Sequence, residues 1–240
     1  MTGAIAYLPK KWESVPQQKF EEILTNNCLL IRVFQDSILQ IKEYLPDTYL
    51  FLLTNVEGVL LDLNYSQNIG SFVSHSPIKT GMYFTEQSCG INAISEAMKH
   101  DAPVYLPPEE HESPAFKDWH CFSVPLKIDQ KTIGYLDVST IHSGMNRELV
   151  AITKLLPAQM VVRYQEQCNE QETERLSQSL TERQLKVLQL ISRGYTVKAI
   201  AIKLKIKECT VNHHKKIIFE KLGVQSSTEA VSIAARHSIL

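Results

Sequence analysis

Residues 178–240 constrain this chain more than any other stretch, because four short helical patterns follow one another there with a breaking residue at each joint. Thr181 precedes ERQLKVLQLISR and Gly194 follows it, an N-cap and a C-cap by residue type. Thr196 stands ahead of VKAIAIKLK, and Lys205-Ile206-Lys207 makes a short connection to CTVNHHKKIIFEKL. Gly223 closes that third pattern, and Ser226 or Ser227 opens a fourth, STEAVSIAARHS. Apolar residues recur at helical spacing: Leu185, Val187 and Leu188 in the first pattern, Val211, Ile218 and Leu222 in the third. Two helices of this length joined by three or four residues have the geometry of a helix-turn-helix. The second helix of such a pair is placed to enter a major groove.

The outward face of the third pattern carries Thr210, Asn212, His213, Lys215 and Lys216, with Lys207 just before it. Hydroxyl and lysine groups hold phosphates, while Asn, His and Lys reach base edges; Asn can pair with adenine and Lys with guanine. A solvated amphipathic helix has the same periodicity, so spacing alone leaves both readings open. Charge leans the same way without deciding it. Residues 178–240 hold eleven Lys and Arg against four Asp and Glu, a net +7, which leaves −8 on residues 1–177 of a chain whose total is −1. An acidic body with a basic module fits a polyanion-binding element attached to something else.

The run from Leu180 to Val231 resembles the LuxR/NarL-type (GerE-like) DNA-binding domain. The matching positions include Leu180-Thr181, Arg183, Val187-Leu188, Gly194, Lys198, Ile200-Ala201, Leu204, Ile206, Thr210-Val211, His214 and Lys221-Leu222-Gly223-Val224. The resemblance implies a transcriptional regulator that binds double-stranded promoter DNA as a homodimer, with RNA polymerase as a further partner. By it, Asn212, His213 and Lys216 stand where family members touch bases. Thr210, Lys198, His214 and Lys215 stand at or near phosphate-contacting positions, and the fourth helix is where members often dimerise. Several positions depart from the family pattern: Gln184 replaces an acidic residue, Thr196-Val197-Lys198-Ala199 replaces Ser-Asn-Lys-Glu, and Ile217 replaces Asn. Lys207 replaces a capping Ser, which removes the side-chain oxygen a cap requires. Asn212 replaces a cation, which trades charge for adenine readout.

Ahead of this module the pattern is mixed. Residues 16–45 read as helical, with Leu30, Val33, Ile38 and Ile41 on one side. Two apolar strands, 49–54 and 58–63, flank a turn at Asn55–Gly58, and a helix follows at Asn92–Lys99. VYL is a short strand among prolines, and CFSVPLKI and TIGYLDVST pair around Asp129-Gln130-Lys131. These elements predict an α+β fold, an antiparallel sheet with flanking helices joined by a helical linker to an all-α helix-turn-helix domain. From Asn146 the spacing is helical again, Pro157 is expected to kink or break it, and Gln165–Gln178 is almost wholly polar. The expected divisions are a sensor domain over 1–165, a helical linker over 166–177 and the DNA-binding domain over 178–240.

A phosphoacceptor receiver needs an acidic pair after its first strand, and an acyl-lactone pocket needs a Trp/Tyr/Asp cluster; neither arrangement is found here. Gly90-Ile91-Asn92-Ala93-Ile94, His111, Cys121-Phe122-Ser123-Val124-Pro125-Leu126 and Gly134-Tyr135-Leu136-Asp137 instead resemble the GAF-type sensor of acetoin- and dihydroxyacetone-responsive, sigma-54-type activators. That resemblance covers residues 48–140 and implies a small-molecule effector. Ile91 replaces the family's Thr, and no GxxxxGK[ST] occurs in the chain, so the ATPase that usually follows this sensor is not expected. Such pockets are apolar with a few placed polar groups, and the candidates are Phe84, Cys89, Asn92, His111, Trp119, His120, Cys121 and Ser123. Asn92 also reads as a helix cap and Cys121 as a small buried hydrophobe.

No cofactor, catalytic residue or metal ligand is expected, because the five cysteines are widely spaced and form no CxxC pair. The N-terminal charge order is the reverse of a signal peptide, and no apolar run has membrane-span length, so a cytoplasmic protein is expected. Two other readings stand beside the sensor. One makes residues 1–165 a dimerisation or protein-docking scaffold, and the other a thiol-dependent GAF-fold enzyme using Cys89 and Cys121.

Overall fold

The computed structural model describes residues 12–142 and 144–240. Helices α1 (Gln17–Asn26) and α2 (Cys28–Ile41) lead into a hairpin of β1 (Leu50–Thr54) and β2 (Leu60–Tyr65). Asn55 makes that turn: its Oδ1 accepts from the backbone N–H of Glu57 and of Val59, and Gly58 takes a positive φ of 76°. Short helices α3 (Gly70–His75) and α4 (Glu86–Cys89) precede α5 (Ala93–His100). Then come β3 (Val104–Leu106), β4 (Trp119–Ile128), β5 (Lys131–Ile141) and the long α6 (Arg147–Ser179).

The five strands form one sheet in the order β2-β1-β5-β4-β3, antiparallel at every pairing. All five residues of β1 are buried, so each face of the sheet must carry a covering layer. On one face Phe51, Leu53, Leu136 and Val138 pack with Leu30, Val33, Phe34 and Ile38 of α2 and with Leu149, Leu156 and Met160 of α6. On the other, Leu50, Leu52, Trp119, Cys121 and Tyr135 pack with Ala93, Ile94 and Ala97 of α5 and with Phe84 and Phe116. The α+β class expected from the order of elements is the one found.

Two expectations need correction. The first concerns Pro157: of the kink or break expected there, the break does not occur, because α6 runs through it with the ring buried. An interior proline loses one backbone hydrogen bond and crowds the preceding turn, yet the helix here is assigned continuously on both sides of it. The second concerns β4 and β5, which are longer than the sequence pattern indicated. Only Asp129 and Gln130 form the turn, both with positive φ, as a two-residue hairpin loop requires. Lys131 already belongs to the strand.

The chain divides into two compact units, Met1–Tyr164 and Gln165–Leu240. In the second, α7 (Glu182–Ser192), α8 (Val197–Leu204), α9 (Glu208–Leu222) and α10 (Ser227–Arg236) enclose Val187, Leu188, Ile200, Val211, Ile218, Ala230 and Ala234. Among the described residues no helix is long and apolar enough to cross a membrane.

Gly134 lies at the end of the β1–β5 pairing, next to Tyr135 opposite Thr54, and a Cβ there would lie 2.5 Å from the Thr54 carbonyl oxygen. Backbone cannot yield as a side chain does, so Gly134→Ala should lower stability by about 1–3 kcal/mol. Both tryptophans, Trp12 and Trp119, belong to the first unit, and their fluorescence during thermal melting reads this directly. An unchanged midpoint would refute the contact.

Candidate nucleic-acid interface and buried cavity

Each helix of the second unit starts on a side-chain cap except one. Thr181 accepts from Gln184 N while Gln184 Oε1 accepts from Thr181 N, a reciprocal capping box. Gln184 therefore keeps the acceptor role of the acidic residue it replaces, and the same oxygen accepts from Lys221 Nζ at 2.9 Å. Lys221 also donates to the Ser179 carbonyl at 2.6 Å, which ties the end of α9 to the junction of α6 and α7. Thr196 caps α8 and Ser226 caps α10. Helix α9 begins at Lys207 without a side-chain cap, as its residue type dictates.

Lys205 takes a left-handed φ of 53° and closes α8, so α8 and α9 are joined by three residues, 205–207. Arg183 donates to the Leu204 carbonyl at 2.8 Å and steadies that turn from α7. With Val211, Ile218 and Leu222 buried, α9 leaves Cys209, Asn212, His213, Lys216 and Glu220 exposed on a single face. Lys207 is exposed in the turn and Lys198 is exposed in the first turn of α8, while Thr210 and Lys215 are half-buried. Lys215 Nζ lies 5.8 Å from the Phe219 ring centroid, and Lys216 Nζ lies 3.9 Å from Glu220. His214 is half-buried with its Nδ1 inside the unit, so less of its ring reaches the surface than of His213. Cys209, on the same face, was not foreseen from sequence; its place one turn before Asn212 and His213 was the available signal.

In the first unit, a small cavity lies on the α5 side of the sheet. Leu52 of β1, Trp119 and Cys121 of β4, and Asp137 and Ser139 of β5 form its floor. Asn92, Ala93 and Ile94 at the start of α5 close it together with Phe84, His111 and Phe116 from connecting segments. It offers about 10 Å³ of room, the scale of one water molecule.

Five of the eight candidate pocket residues line this cavity: Phe84, Asn92, His111, Trp119 and Cys121. Asn92 is a wall with its polar atoms engaged. Its Oδ1 accepts from Ser95 N in a capping box, and its Nδ2 donates to Phe84 O, Cys89 Sγ and Gly90 O. Cys89 stands behind Asn92 as one of those acceptors, away from the lining. The alternation of β4 turns His120 to the opposite face from Trp119 and Cys121, where its ring nitrogen meets Tyr105 Oη at 2.7 Å. Ser123 shares the cavity's face but lies further along the strand, opposite Asp137 in register.

Sequence reading missed Asp137, although it closes the quoted Gly-Tyr-Leu-Asp motif. An acidic residue inside an otherwise apolar strand was the signal, since carboxylates are rarely buried without a reason. Asp137 is 1% exposed. Ser139 Oγ lies 2.6 Å from its Oδ2 and 3.2 Å from Cys121 Sγ, and Oδ1 has no partner among the described residues. Burial pushes its pKa up to about 7, against the lowering effect of Ser139. Burial, reinforced by the Asp137 charge, also holds the Cys121 thiol well above the ordinary range, which suits an inert buried sulfur. For His111 burial acts in the other direction, to about 4, so its ring is neutral. Its Nδ1 lies 3.0 Å from the Pro107 carbonyl and must carry the proton, which leaves Nε2 with a lone pair.

A four-helix unit whose third helix follows the second by a three-residue turn and presents an exposed polar face has the geometry of a DNA-binding regulator of the helix-turn-helix class. The comparisons with known proteins agree. Residues 178–234 match the model of bacterial regulatory proteins, luxR family. The chain is 32% identical over 164 residues to the transcriptional regulatory protein YdfI of Bacillus subtilis, covering 66% of this chain and 73% of that protein. It is 43% identical over 61 residues to the oxygen regulatory protein NreC of Staphylococcus aureus, 25% of this chain and 28% of that one. The chain belongs to the luxR family of bacterial regulatory proteins, and it is a transcriptional regulator with a LuxR-type DNA-binding domain. Among solved structures, the Escherichia coli DhaR(N)-DhaL complex shares the fold with a TM-score of 0.62 at 16% identity, over 70% of this chain and 58% of that one. The first unit is thus GAF-like in architecture.

The folded Asp137 holds its proton to about pH 7, whereas an unfolded Asp releases it near 3.8. A raised acid contributes stability that is fully present below the unfolded value and is lost as pH climbs from about 4 to 7. At roughly 1.4 kcal/mol per pKa unit, the loss is on the order of a few kcal/mol. Asp137→Asn removes this titration, so the melting midpoint of the variant minus that of the wild type should grow as pH rises from 4 to 8. The opposite drift of His111 is common to both proteins and cancels. A difference independent of pH would contradict the burial of this carboxyl.

Proposed function

We propose that the chain is a one-component regulator in which a small-molecule effector held by the GAF-like unit controls promoter binding by the LuxR-type domain. The carrying observation is the cavity: Asp137 Oδ1, His111 Nε2 and Trp119 Nε1 are all buried, without partners among the described residues, and their side chains line one space. Buried polar groups are ordinarily satisfied, so a cluster of exceptions in a sheltered space suits a ligand. In this reading residues 1–165 are the sensor, 166–177 a helical linker and 178–240 the reader. A homodimer presents two readers to the two half-sites of an operator. A second reading has one observation in its favour: the structurally similar DhaR(N) is seen in complex with DhaL, so the sensor unit here would serve as a protein-docking scaffold.

On the DNA side, Asn212, His213 and Lys216 read bases while Lys198, Lys207, Thr210, His214 and Lys215 hold the backbone. Asn212→Ala should relax preference at one base pair, costing about 1–3 kcal/mol there, as measured by selecting bound sequences from a random pool. Lys198→Ala should weaken all sequences alike and reduce the salt dependence of binding by about one ion. An unaltered preference in the first variant, or an unaltered slope in the second, would reject the assigned role.

A ligand bound only by the folded state raises its melting temperature by mass action. Screening small metabolites against the full chain, with Trp119 fluorescence as the readout, should find compounds that stabilise the first unit. Finding none, while a partner protein stabilises it, would favour the scaffold.

A further inference from the structure

Strands β3 and β4 are antiparallel neighbours with Leu106 opposite Cys121, so a tight turn could join them, as Asp129 and Gln130 join β4 to β5. The chain instead uses residues 107–118, twelve in all, for that connection. Where a tight turn would serve, a connection of this length usually carries a function. This one folds over the α5 side of the sheet and supplies two walls of the cavity, His111 and Phe116, both buried.

The polar groups of the segment bond largely within it. Lys117 Nζ donates to the carbonyls of Glu109 and His111, and His111 Nδ1 donates to that of Pro107. Single turns at Pro108–Glu110 and Pro114–Phe116 close on the Pro107 and Ser113 carbonyls. The segment is clasped to the rest of the unit at the approach to α5. There Glu112 N donates to the Ile91 carbonyl at 3.1 Å, and Ile91 N donates to Glu112 Oε2 at 3.0 Å. Gly90 leaves room for that carboxylate, since a Cβ on it would lie 2.8 Å from Oε2. A loop closed on itself and held by one clasp can move as a piece.

We propose that residues 107–118 form a lid, clasped shut at Glu112 and Ile91, that must lift for an effector to enter. The proposal rests on the effector reading above and describes how access to that site is controlled. With the lid shut, the cavity has room for about one water molecule, too little for a metabolite. Phe116 fills most of what an effector would need: its ring centroid lies 5.2 Å from that of Trp12 and 5.6 Å from that of Trp119. Lifting the lid withdraws Phe116 and His111 together, while Trp119, Cys121, Asp137 and Ser139 stay in the ladder of β4 and β5.

Hydrogen exchange on the full chain tests the lid without any effector. Trp119 Nε1 has no hydrogen-bond partner among the described residues, so exchange of its proton reports access alone. That resonance and the Glu112 amide are followed by NMR in rising urea below the unfolding transition, with Trp12→Phe assigning the indole signal. Both should exchange at rates nearly independent of urea, because lifting a lid exposes little surface, whereas amides of the β1–β5 pair should accelerate steeply. Glu112→Ala removes one clasp bond and should speed Trp119 exchange roughly threefold to tenfold, the weight of one hydrogen bond. Glu112→Gln keeps an acceptor and should match the wild type. Trp119 exchange that follows the β1–β5 amides in urea, or that is unmoved in a folded Glu112→Ala chain, would overturn the lid; the wild-type series decides alone should that variant fold poorly. The effector reading has its separate test in the metabolite screen, so either can fail without the other.

Discussion

The first unit depends on burying both faces of β1 and β5 at once. A strand covered on two sides has no solvent face to which a polar residue can turn, so every side chain in it must be apolar, small or internally bonded. Asp137 breaks that rule in the middle of the sheet, with one serine hydroxyl beside it. The cavity, the shifted carboxyl and the neutral His111 ring all follow from enclosing polar groups between the sheet and α5. An ordinary core would place a leucine or valine there. A polar cluster that opposes stability is consistent with a role in binding, which is how function and folding part company at this point.

The second unit depends on its helix ends. Helices of eight to fifteen residues are marginal alone, and their caps and cross-helix bonds set the angles at which α8 and α9 meet. Lys221, reaching both Ser179 O and Gln184 Oε1, and Arg183, reaching Leu204 O, fasten the frame from behind. The outer face of α9 is then free of structural duty. Asn212, His213 and Lys216 have no place in the core, and their exposure on a braced helix suits a reading surface.

Legibility differed between the two units for physical reasons. Caps and helical spacing are local, so Thr181, Thr196, Gly223 and the three-residue turn could be read directly from the chain. Gln184 looked like a departure from the family, yet the amide oxygen caps as a carboxylate does. The cavity is assembled from strands and loops distant in sequence, which spacing does not encode. Phe84, Asn92, His111, Trp119 and Cys121 were found through a motif resemblance, whereas Asp137 was passed over as part of a strand signature. His120 was placed with its neighbours although the two-residue period of β4 turns it away. Of the kink or break expected at Pro157, the break did not follow, because the packed helix continues through it.

Whether occupancy of the cavity governs DNA binding is the central claim, and one comparison addresses it directly. Ala93 is buried at the cavity wall, and Ala93→Leu takes up its room from within the first unit. Operator affinity is measured for the wild type and this variant, each with and without the small-molecule fraction of cells. The account predicts that the fraction changes the affinity of the wild type and leaves the variant indifferent. Equal responses from both proteins, or no response from the wild type, would contradict it.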